Sequence, residues 1–87
     1  MRIGDFDHFW SVFTTKGADH RRAFGSAGAR VLRNQDDPQE VIILFDWSKE
    51  DYERFLADPD TKGIMASAGL QGPPETIAVE AVGETGS

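Results

Sequence analysis

The sequence predicts an α+β fold in which a four-stranded antiparallel sheet carries two helical segments on one face. Three observations lead there. In "EVIILFDW" (40–47) a strand puts Val41, Ile43, Phe45 and Trp47 in one row and Ile42 and Leu44 in the other, and both rows are apolar. Phe6, Phe9, Trp10 and Phe13 recur at spacings of three and four, which places them on one helical face. Turn-forming clusters, "GSAG", "QDDPQ" and "LQGPPE", separate the periodic segments. In order the elements read strand, helix, strand, strand, helix, strand, which is the ferredoxin-like βαββαβ arrangement.

The opening strand is only "MRI", ended by Gly4. Asp5 or Asp7 then caps a helix whose aromatic stripe continues through Gly17 to His20 and Phe24, and the glycines of "GSAG" close it. "ARVLRN" (29–34) and "EVIILFDW" pair as a hairpin, with Arg33 expected to meet Glu40 across it. Ser48 is a good N-cap, with Asp51 three residues on, and Tyr52, Phe55 and Leu56 form the inward stripe of the second helix. Asp58-Pro59 breaks or restarts that helix, and Ile64, Met65 and Ala68 carry its last stripe. "TIAVEAV" alternates as a closing strand, with Ile77, Val79 and Ala81 on one side. Residues 1–83 read as one domain and residues 84–87 as a tail.

Composition narrows the function classes. The chain has 87 residues, near the size at which a single core is only just sufficient. It has no cysteine, which favours a reducing, cytoplasmic setting, and it shows no membrane span or signal peptide. A net charge of -6 argues against nucleic acid, and the local basic group of Arg21, Arg22, Arg30 and Arg33 suits a small anion better than a duplex.

Helices on one face leave the other face of the sheet bare. Exposing Ile42, Leu44 and a neighbour such as Leu32 or Val31 forgoes roughly 5 kcal/mol, at about 1.5 to 3 kcal/mol per aliphatic side chain. That is comparable with the whole stability of many domains. A second copy packed face to face is the simplest remedy, so the sequence predicts a homodimer joined through the exposed sheet face. Asp46 shares the row of Ile42 and Leu44 and would need a partner there, such as an Arg of the other subunit.

Taken together, "DFDHFWSVF", the "RR" before a glycine-rich turn, "DDPQEVIILFDW", and "AG" with "GPPE" resemble the dimeric α/β barrel superfamily, in its antibiotic-biosynthesis-monooxygenase-like and polyketide-cyclase-like group. The resemblance runs over nearly the whole chain. It implies two four-stranded sheets forming a barrel across a dimer, with a pocket between sheet and helices in each subunit. It also implies a cofactor-independent monooxygenase or cyclase acting on an aromatic or polyketide-like substrate. The first strand is shorter than such proteins carry, and Lys16 stands where relatives carry a histidine.

Among the residues themselves, His20 is the first catalytic candidate, because an imidazole among aromatics can act as a base near neutral pH. Tyr52 is the second, as a phenol able to hold a ligand carbonyl. Trp10, Phe13, Phe24, Phe45 and Trp47 could line a pocket for a hydrophobic small molecule, and Arg22 or Arg30 could orient its carboxylate or enolate. Aromatics at these spacings are more often plain core, and His8 reads as a surface residue on the opposite side of the helix. Neither a metal site nor a cofactor is predicted, since no His and carboxylate spacing recurs and "GSAG" follows a helix rather than a strand. The competing class is a non-catalytic ligand-binding or protein-interaction module.

Overall fold

A computed structural model describes Met1–Ser87. The architecture is α+β, with helices α1 (Phe6–Phe13) and α2 (Lys16–Ala23), strands β1 (Gly28–Asn34) and β2 (Asp37–Asp46), and helices α3 (Lys49–Ala57) and α4 (Pro59–Ser67). The sheet is two-stranded, which corrects the four-stranded ferredoxin-like prediction.

The central hairpin forms as its alternation requires. β1 and β2 pair antiparallel, with Leu32 opposite Ile42, Arg30 opposite Leu44 and Gly28 opposite Asp46. Those six residues face away from the helices. Val41 is fully buried, Ile43, Phe45 and Trp47 are partly buried, and Ile42 and Leu44 are exposed. Arg33 does not meet Glu40. Its guanidinium lies 4.7 Å from the ring centre of Phe6, and Glu40 accepts instead from the Asn34 amide at 3.2 Å.

The two outer strands fail for different reasons. "MRI" is too short to form a strand and contributes isolated bridges, Arg2 to Glu40 and Ile3 to Leu70. Even so, Ile3 donates to the Gln39 carbonyl and Met1 accepts from the Val41 amide, each at 2.9 Å. "TIAVEAV" pairs with nothing, and residues 75–87 lie exposed. Gly72 turns the chain away at a φ of +99°, and Pro73 and Pro74 offer no amide donors to extend a ladder. Alternation prescribes which side chains share a face, not whether an edge is available.

The first helix is also divided. Thr14 and Thr15 turn their hydroxyls back onto the carbonyls of Trp10 and Ser11, at 2.7 and 2.6 Å, and Arg21 donates to the Phe13 carbonyl at 2.9 Å. These bonds satisfy the end of α1 and let the chain turn before α2. Asp5 caps α1 through the His8 amide, Ser48 caps α3 through the Asp51 amide, and Asp58 caps α4 ahead of Pro59.

The resulting core is small. Ile3, Phe9, Val41 and Ala68 form its centre, and Phe55 is the other buried apolar side chain. The accessible surface is 6308 Å². A folded monomer of this mass exposes about 5,100 Å², so the lone chain carries an excess of about 1,200 Å².

Candidate functional site

His20 sits near the end of α2 against the junction of α3 and α4. Its Nε2 lies 2.8 Å from the Thr61 hydroxyl and 3.2 Å from an Asp58 carboxylate oxygen. Thr61 is fully buried and donates its only hydroxyl proton to the Phe55 carbonyl at 2.6 Å. The hydroxyl therefore accepts from His20, and Nε2 carries the proton. Phe24 and Phe55 hold the imidazole, at centroid separations of 5.2 and 5.4 Å. This arrangement ties α2 to the start of α4.

Trp47, Tyr52, Phe45 and Phe55 make one continuous aromatic cluster beside His20. Trp47 packs 4.8 Å from Phe55 and 5.3 Å from Tyr52, and its indole donates to the Phe24 carbonyl at 2.9 Å. The Tyr52 hydroxyl bonds the Thr76 hydroxyl at 3.1 Å. Thus His20 and Tyr52 both engage threonines, but different ones.

A second aromatic group lies along α1. Phe6, Trp10 and Phe13 stack in sequence, with Trp10 6.0 Å from Phe6 and 6.2 Å from Phe13. The sequence places Trp10 facing the sheet, whereas the side chain is 45% exposed. Phe13 bridges to Phe45 at 6.5 Å and carries the Arg21 guanidinium over its face at 3.7 Å. Burial, and secondarily the charge of Arg22, pull Arg21 down to about 10, so it stays cationic at neutral pH. Arg22 is exposed and pairs with Asp19. Sequence reasoning passed over Arg21 in favour of Arg22. The signal that separates them is position: Arg21 follows Phe13 by eight residues, returning to its side once the helix is broken.

The aromatic candidates are thus brought into contact with one another rather than spaced around a void. Two surface cavities lie elsewhere. One, about 520 Å³, is bounded by Leu56, Thr61, Lys62, Met65, Leu70 and the Gly72–Pro74 turn. The other, about 130 Å³, lies between Ala18, Arg21, Arg22 and residues 26–29. Neither is lined by Trp10, His20, Trp47 or Tyr52. His8 is exposed, as its helical position implies, and its Nε2 lies 2.7 Å from the Ser67 carbonyl. No group of three or more His, Asp or Glu side chains is arranged to hold a metal ion, and no helix is long and apolar enough to cross a membrane.

Comparison with known proteins finds no matching family model, no matching curated protein and no matching solved structure.

Proposed function

We propose that this chain is a non-catalytic binding module that works as a homodimer joined through the outer face of its hairpin. The observation that carries this reading is the row of Leu32, Ile42 and Leu44, whose side chains remain 43%, 52% and 47% exposed in the lone chain. Arg30, directly across from Leu44, and Asp46, at the end of the row, lie on the same face without an ion-pair partner, so the patch offers a second copy both apolar surface and opposite charges. Substituting Leu44→Asp places a charge at the centre of this face and should convert the dimer to monomer in sedimentation velocity. A dimer that survives the substitution contradicts the reading.

Binding is better supported than turnover. A cofactor-independent oxygenase or cyclase needs a base or donor facing a substrate-sized opening, whereas the Nε2 of His20 and the hydroxyl of Tyr52 are engaged by threonines. A hydrophobic, ring-containing small molecule remains the ligand class favoured by a particular feature. The 520 Å³ groove is chiefly apolar and has the Lys62 ammonium, free of any ion pair, on its wall. Anilinonaphthalene sulfonate, a ring compound with one anion, should bind there, and Met65→Trp should reduce that binding severalfold by filling the groove. Equal fluorescence titrations for the two proteins would remove this reading. The cysteine-free composition suits a reducing, cytoplasmic setting.

A further inference from the structure

We propose that residues 76–82 of one chain add as a strand to the free edge of β1 in a second copy. This inference rests on the homodimer reading and goes beyond it, because it assigns the exchange of a segment rather than contact between two faces.

The donor is a stretch of alternating sequence that pairs with no strand. Ile77, Val79 and Val82 are 81%, 78% and 87% exposed, more than any apolar residue of the hairpin. The acceptor is equally unpaired. β2 is flanked by β1 on one side and by Met1–Ile3 on the other, whereas β1 bonds only to β2. β1 is seven residues long, which matches the length of the donor stretch.

Charge selects this pairing over the alternatives. β1 carries Arg30 and Arg33 and no acid, while Glu75, Glu80 and Glu84 lie in or beside the donor and no basic residue follows Lys62. Two β1 edges brought together would oppose arginines, whereas the donor presents carboxylates to them.

Connectivity favours a second copy over the same chain. Residues 69–71 pair with residues 2–4, through Gly4 to the Gly69 carbonyl and Gln71 to the Arg2 carbonyl, each at 3.0 Å. The chain therefore leaves the sheet on the side opposite β1, separated from it by about 14 Å at ordinary strand spacing. The Tyr52–Thr76 bond then tethers the start of the donor over the helix-bearing face of the hairpin, where Tyr52 packs on Phe45, rather than at the β1 edge.

The test is isotope-filtered NMR on an equimolar mixture of labelled and unlabelled full-length chains at a concentration where sedimentation gives a dimer. Nuclear Overhauser contacts between residues 76–82 of one chain and residues 28–34 of the other, with amide exchange in the donor slowed at least tenfold, are expected. The double substitution Ile77→Asp and Val79→Asp should weaken the dimer roughly a hundredfold, since it removes two buried aliphatic side chains. A dimer whose residues 76–82 exchange freely, or contact only their own chain, overturns the exchange while leaving the face-to-face dimer intact. A monomer overturns both.

Discussion

Leu32 stands directly across the β1–β2 ladder from Ile42, and both side chains point away from the helices with about half their surface in water. A cross-strand aliphatic pair normally stabilises a sheet by packing against a third layer. Here that layer is absent from the chain. Substituting Ile42→Asp should therefore cost the isolated domain little, while weakening self-association by roughly a hundredfold or more through a charge forced into an apolar interface. Circular dichroism should be unchanged at low concentration, and analytical ultracentrifugation should report the loss. Equal loss of helix signal and of dimer would mean that Ile42 belongs to the core.

His20, Thr61 and Asp58 join α2 to α4, and their effect should be on stability. Thr61→Val keeps the shape but leaves the Phe55 carbonyl and the His20 ring without their shared hydroxyl, a loss of about 1 to 3 kcal/mol. Urea unfolding measures it. His20→Ala should destabilise the chain to a similar degree, and a variant of unchanged stability would release His20 from this structural role.

Trp47 combines packing with a hydrogen bond to the Phe24 carbonyl. Trp47→Phe should lower stability by about 1 kcal/mol, and Trp47→Ala by about 3 to 5 kcal/mol as the cluster loses its largest ring. Thermal unfolding separates the two. Equal losses would show that the indole proton, rather than the ring, supplies the stabilisation.

The Arg2–Asp37 ion pair ties the N-terminal segment to the start of β2 at 2.7 Å. Its bond to Arg2, reinforced by the Gln39 amide, holds the Asp37 carboxyl below its ordinary value. Because the folded state favours the charged form, the stabilisation is present above the unfolded-state value and is lost as pH falls through the lower folded-state one. Asp37→Asn should thus be less stable than the parent at pH 6, and the difference should shrink as pH falls through the lowered folded-state value of Asp37. A difference that does not shrink on acidification contradicts this assignment.

The hairpin was legible in the sequence because both of its signals are local. Alternation sorted Val41, Ile43, Phe45 and Trp47 from Ile42 and Leu44, and the turn cluster located the reversal, although only Gln35 and Asp36 make the turn and residues 37–39 belong to β2. The division of the first helix was not, since Thr14 and Thr15 read as tolerable helical residues until their hydroxyls are seen on the carbonyls of Trp10 and Ser11. "TIAVEAV" failed as a closing strand for a nonlocal reason: its pattern is that of a strand, but the preceding turn leaves it with no edge of its own chain. For the site, residue type drew attention to His20 without revealing Thr61, whose importance comes from burial and from a carbonyl six residues earlier in the chain. The groove at Lys62 and Met65 was likewise hidden, because it is created by the Gly72–Pro74 turn folding beside α4.

In the dimer proposed above, the lone chain is half of a working unit. Sedimentation equilibrium of the unmodified protein across a range from nanomolar to tens of micromolar tests it most directly. A dimer gives twice the 9.6 kDa chain mass at micromolar concentration, and a single-chain mass throughout that range contradicts it.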